Sequence, residues 1–138
     1  MDVACKLIIE DVESIQKYLA ILKKLKICLY IIQFYGLSEM YKKHIMIFEW
    51  AEYRNLREIY KDNYIRCKDK ILIARDICCG LSFLHSVNIF HHDIKCKNIL
   101  MAEKLQPKIS NFNFSHEFNA ATHPIDNIND NYDTLVGT

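Results

Sequence analysis

"FHHDIKCKNILMAEKLQPKISNFNFS", residues 90–115, decides how the chain is read. It sets Asp93, Lys95 and Asn98 at close spacing ahead of a short apolar run and the tripeptide Asn111-Phe112-Asn113. Phosphoryl transfer needs a carboxylate near the acceptor hydroxyl, a cation on the transferring phosphate and oxygen ligands for Mg²⁺. Within one loop, Asp93 can accept the hydroxyl proton, Lys95 can neutralise phosphate charge and Asn98 can offer an amide oxygen to a metal. The second half of the stretch puts an amide, Asn111, where this chemistry wants a carboxylate.

Working outward, the 138 residues suffice for one domain, and the 51% apolar and 25% charged composition fits a soluble globular protein. Because 18 basic side chains nearly cancel 17 acidic ones, no general charge pull toward nucleic acid or membrane is expected. The start MDVACKLIIEDV has no basic leader, and no apolar run approaches the roughly 20 residues of a membrane helix. These features predict a cytoplasmic protein whose six cysteines are reduced, several of them buried as small hydrophobes, with the Cys78-Cys79 pair serving helix packing. Three glycines, Gly36, Gly80 and Gly137, exclude a glycine-rich phosphate cradle within this chain.

Periodicity predicts a strand over 3–9 with Ala4, Lys6 and Ile8 on one face, then a helix over 12–26 with Ile15, Leu19 and Leu22 as its stripe, widened by Tyr18 and Leu25. A strand is expected at LYIIQFYG, ended by Gly36, then a turn at SEMYKKH and a strand at IMIFEW. Further on, a short helix capped by Asn55 and a long one over 69–85 capped by Asp69 are expected. Strands at NILM and PKIS follow, flanking an AEKLQ turn, and a polar loop runs from 115 onward. A strand-rich first third followed by helices gives an α+β fold in two lobes.

In this order the features resemble a eukaryotic protein kinase domain. His91 to Leu100 resembles the catalytic loop H-R-D-L-K-x-x-N-I-L, and Lys108 to Asn113 resembles K-I-x-D-F-G. Val3-Ala4-Cys5-Lys6 resembles the V-A-I-K strand, MIFEWAEYRNL the gatekeeper and hinge, and Val136-Gly137-Thr138 the end of an activation loop. The resemblance covers nearly the whole chain and is nearest to tyrosine-kinase-like sequences. It implies a partial two-lobe fold: residues 1–48 in the small lobe, 49–54 as hinge, 55–114 in the large lobe, and 115–138 as an activation-segment-like loop. It also implies ATP held with Mg²⁺ between the lobes and phosphoryl transfer to a protein hydroxyl. ATP would meet Lys6, Phe48 as gatekeeper, Glu49, Ala51, Asn98 and Asn111, the last two also as metal ligands. His92, in place of the arginine that binds a phosphorylated loop, and Tyr132 are the implied regulatory positions.

Four departures qualify the resemblance. The chain begins at the V-A-x-K strand and stops before the A-P-E segment, so the glycine-rich strands and the rest of the large lobe are expected to be missing. Tyr18 falls where a helix glutamate should pair with Lys6, and Glu13 is more than a turn out of register. Asn111 replaces the metal-binding aspartate, and Mg²⁺ prefers anionic oxygen. Asn113 in place of glycine is a milder change beyond these four: if the position takes a left-handed backbone, Asn is the non-glycine residue that tolerates it best. Impaired catalysis is therefore expected, with two alternatives open: a catalytically inactive scaffold or protein-binding module of the same fold, or a fragment that does not fold alone.

Overall fold

The structure, a computed structural model, describes residues 2–9, 11–62 and 65–117. Tyr132 and the Val136-Gly137-Thr138 end lie outside the described residues. Strand β1 (Val3–Leu7) leads into helix α1 (Val12–Leu25), and strands β2 (Phe34–Met40) and β3 (Lys43–Glu49) complete an antiparallel sheet of order β1-β3-β2. Two helices follow, α2 (Leu56–Lys61) and α3 (Cys67–Ser86). The short strand β4 (Ile89–Phe90) pairs with β7 (His116–Glu117), and β5 (Ile99–Ala102) with β6 (Gln106–Ile109) forms a hairpin between them in the chain. Strands and α1 first, larger helices after, make this the expected α+β architecture.

Local chemistry explains most boundaries. The Asp11 carboxylate accepts from the Ser14 amide at 3.0 Å and starts α1. Ile21, Leu22 and Leu25 are its buried residues; Leu22 and Leu25 belong to the expected stripe, while Ile15, Tyr18 and Leu19 are half-buried. Asn55 caps α2 as expected: its side chain accepts from the Glu58 amide, while Glu58 returns a carboxylate to the Asn55 amide group, each at 3.1 Å. Helix α3 starts two residues before the expected cap. Arg66 is the cap residue, and Asp69 lies in the first turn, bound to the Arg66 guanidinium at 2.7 Å.

Three expectations for the small sheet need correction. Residues 29–33 lie outside strand β2: Ile109 N–H donates to the Tyr30 carbonyl at 2.8 Å and Ile32 N–H to the Ile109 carbonyl at 3.0 Å, and only the Gln33 carbonyl turns back to β3, accepting from Glu49 N–H at 2.9 Å. Strand β2 starts at Phe34 and runs through Gly36, which has φ +152° at a register shift in the pairing. The turn narrows to Tyr41-Lys42, both left-handed (φ 51° and 60°), as a two-residue hairpin loop requires.

One core joins the two halves of the chain. Ile31, Ile89, Met101 and Ile109 are fully buried in it, with Leu22 and Leu25 from α1 and Leu84 from α3. At Gly80 a Cβ would stand 2.8 Å from Ile109 Cδ1 and 3.2 Å from Tyr30 Cβ, so a side chain there would force its packed neighbours to shift. Cysteines contribute little: Cys28 is buried, whereas Cys5, Cys67, Cys78, Cys79 and Cys96 are exposed. Cys78 and Cys79 on α3 are exposed, whereas Ile73, Gly80 and Leu84 are its buried residues, which corrects the expected packing role.

Candidate functional site

A cleft of about 240 Å³ opens between the sheet and the β5–β6 hairpin. Ala4, Ile32, Phe48 and Leu100 give it apolar walls, and Lys6, Asn111 and Asn113 bring polar groups to its inner end. Strand alternation places Ala4 and Lys6 on the inward face of β1, as read from the sequence. Phe48 is buried and packs against Phe34 with ring centroids 5.5 Å apart. Glu49 borders the cleft, but its carboxylate is engaged by Lys108 at 3.1 Å and by the Gln33 amide at 3.1 Å. Ala51 and Asn98 are not among the lining residues.

Beneath the cleft a chain of side-chain amides joins the catalytic-loop residues. The Asn98 NH₂ group donates to both the backbone carbonyl and the carboxylate of Asp93, each at 2.8 Å. Two acceptors on that side fix the amide orientation, so the Asn98 oxygen faces Asn111. Asn111 answers with its own NH₂ at 3.2 Å. Asn111 has a left-handed backbone (φ 66°), whereas Asn113, for which the sequence leaves that conformation open, does not. The residue types therefore fit this hydrogen-bonded chain and do not fit Mg²⁺. The Asn98 oxygen that a cation would need already has a donor, and an aspartate at 111 would meet it with like polarity. Among the described residues, no three His, Cys, Asp or Glu side chains form a group that could hold a metal ion.

Asp93 is half-hidden and paired with Lys95 at 2.8 Å. Lys95 first of all, with Asn98 adding to it, holds the Asp93 carboxyl below its ordinary pKa. Such a group is anionic at neutral pH and a weak base. His91 is braced rather than reactive. Its buried Nε2 lies 2.8 Å from the Ser110 carbonyl and its Nδ1 accepts from the Asp93 amide at 3.2 Å, which fixes the neutral Nε2-protonated tautomer. Burial pushes the His91 pKa down in agreement with that assignment. The His91 ring also meets the buried Phe112 edge-on at 4.8 Å. His92 takes a left-handed backbone and stacks on His116 with centroids 4.4 Å apart.

Among the described residues, Lys6 has no carboxylate in ion-pair contact. Its ammonium sits 5.2 Å from the Tyr18 ring centroid and donates to the Asn113 amide oxygen at 2.6 Å. Glu13 is bound to Lys17 at 2.8 Å instead. Sequence reasoning missed three features here: the side-chain role of Asn113, the Lys108–Glu49 pair, and Ser110, whose amide and hydroxyl both donate to the Asn98 carbonyl at 2.9 Å. The only available signal was their place in the run K-I-S-N-F-N, next to a residue already singled out.

A family model described as protein kinase domain matches residues 2–138. LIM domain kinase 1 of Drosophila melanogaster is 30% identical over 101 residues, 72% of this chain and 8% of the relative. Serine/threonine-protein kinase pakH of Dictyostelium discoideum is 33% identical over 109 residues, 78% of this chain and 21% of the relative. The calcium/calmodulin-dependent protein kinase kinase of Caenorhabditis elegans is 35% identical over 107 residues, 77% of this chain and 20% of the relative. In each case the matched region spans about a fifth or less of the relative's length. Among the described residues, no helix is long and apolar enough to cross a membrane.

Proposed function

Since this chain belongs to the protein kinase family, we propose that it is a nucleotide-binding member that acts by binding rather than by efficient phosphoryl transfer, and that it needs no divalent metal to bind. The observation that carries this reading is the amide chain from Asn111 through Asn98 to Asp93. It gives the oxygen a metal would take a hydrogen-bond donor, puts a neutral amide at 111 in place of a carboxylate, and leaves Asp93 ion-paired with Lys95. An adenine ring is accommodated by the apolar walls at Ala4, Phe48 and Leu100, and Lys6 supplies the cation for a phosphate. Glu49 borders the cleft with its carboxylate engaged by Lys108, and Ala51 enters only through its place in the hinge-like segment. Losing one transition-state-stabilising group costs on the order of 10²–10³ in turnover. Here both the metal carboxylate and the carboxylate partner of Lys6 are amide or aromatic, so turnover is expected to be slow.

The three relatives described above are named as kinases, one of them a serine/threonine-protein kinase, and a protein partner or substrate in the cytoplasm is the corresponding proposal for this chain. A second reading, residual phosphotransfer to protein hydroxyls, is favoured by the intact Asp93–Asn98 geometry. Thermal unfolding titrated with ATP decides between them. A native-state binder raises stability by about 2.7 kcal/mol at a hundredfold excess over Kd. The proposal expects that rise in EDTA, with no phosphoprotein formed in Mg²⁺ or Mn²⁺. A rise only with metal, accompanied by phosphate transfer, supports the second reading, and a melt that no nucleotide moves refutes both.

A further inference from the structure

We infer that Asn113 is a built-in competitor for the phosphate position on Lys6, so that ligand entry and release of the segment after Phe112 are one coupled event. The inference rests on the nucleotide reading above and goes beyond it. Three observations carry it. The Asn113 amide oxygen stands 2.6 Å from the Lys6 ammonium, the bond length of a charge-assisted contact. Both residues line the cleft, so an anionic oxygen reaching Lys6 arrives where the carboxamide now sits. The position of Asn113 is also set from behind: Phe112 is 1% exposed and packed on His91, which aims the next residue at β1.

The contact spans 107 positions in sequence and ties the small sheet to the segment that follows Phe112. A few residues on, that segment pairs with β4 and reaches α1 through an ion pair between Glu117 and Lys24. A neutral amide is a weaker acceptor for an ammonium than an anionic phosphate oxygen. A phosphate therefore displaces Asn113, and the segment loses its hold on Lys6. By linkage, anything that pulls the segment away from Lys6 tightens ligand binding by the same factor.

The test uses the 138-residue chain with ADP in EDTA, comparing wild type, Asn113→Ala and Asn113→Asp by calorimetry and by hydrogen exchange at the amides of residues 112–117. Removing the competitor is expected to tighten ADP binding about fivefold, and the aspartate variant, whose carboxylate holds Lys6 and repels the phosphate, to weaken it about tenfold. ADP should speed exchange across 112–117 in the wild type and change nothing in Asn113→Ala, where the amides already exchange fast. A residue that merely supports the turn would speed exchange in the variant without tightening ADP. Equal ADP affinity in wild type and Asn113→Ala overturns the inference alone. ADP binding to none of the three proteins overturns the nucleotide reading beneath it.

Discussion

The ion pair between Lys108 and Glu49 offers a sharp test of how the two halves of the chain are held together. Lys108 on β6 has a side chain only 5% exposed, whereas Glu49 at the end of β3 is 21% exposed, and their charged atoms lie 3.1 Å apart. Orphaning a buried charge costs more than the pair itself is worth, about 3–5 kcal/mol when one partner is removed. The two ends should not cost the same. In Glu49→Gln the Lys108 ammonium stays buried against a neutral amide that still accepts a hydrogen bond, so the lower end applies, about 3 kcal/mol. In Lys108→Met the stem volume is kept, and the stranded carboxylate retains the Gln33 amide at 3.1 Å and reaches water. That should cost only about 1 kcal/mol, one ordinary hydrogen bond's worth. At about 4 °C per kcal/mol for a domain of this size, Glu49→Gln should lower Tm by about 12 °C and Lys108→Met by about 4 °C. The double variant should fall short of the sum, since the buried charge is gone. Chemical denaturation of all four proteins measures the cycle. Lys108→Met costing as much as Glu49→Gln would refute the argument that the more buried charge sets the price of breaking the pair.

Other consequences are equally direct. Because burial depresses the His91 pKa, the unfolded chain binds a proton that the folded one refuses once pH falls below the ordinary histidine value of 6.5. Stability from this site is complete above that value and is lost as pH falls toward the folded pKa, so Tm should drop on acidification, and His91→Gln should flatten the drop. Native alkylation followed by mass spectrometry should modify the five exposed cysteines quickly, while Cys28, buried and with its thiol pKa raised by that burial, should react only on unfolding. Asn111→Asp exchanges a donor to the Asn98 oxygen for a like-polarity contact, so without metal the variant should lose about 1 kcal/mol of stability, and Mg²⁺ should restore it. Equal melts of Asn111→Asp in EDTA and in Mg²⁺ would count against the geometry assigned to the amide chain.

What could be read in advance follows a physical divide between local and distant interactions. The catalytic-loop residues, the Asn55 cap and the β5 and β6 strands depend on neighbours within a few positions, and spacing reveals such contacts. The hairpin at Tyr41-Lys42 was blurred because neither residue is one of the usual left-handed formers, so the turn is enforced by strand pairing rather than announced by composition. Residues 29–33 look like part of the small sheet because they are largely apolar, with two isoleucines, yet the backbone hydrogen bonds of Tyr30 and Ile32 go to Ile109 on β6, about 80 positions away. The same distance hides Lys6–Asn113 and Lys108–Glu49, whose partners lie 107 and 59 positions apart. Cysteine exposure on α3 was misjudged because a helix stripe fixes which face is buried only once the neighbour at Gly80 is known.

The central claim is that the cleft binds nucleotide without a divalent ion because Asn111 has closed the metal position on Asn98. Its most direct test is the dissociation constant of ADP for the wild-type chain by calorimetry, once in EDTA and once in millimolar Mg²⁺. Binding in EDTA with a constant that Mg²⁺ fails to strengthen is the predicted result. Binding that appears only when Mg²⁺ is present would contradict it, and would mean that the amide chain opens to admit the metal.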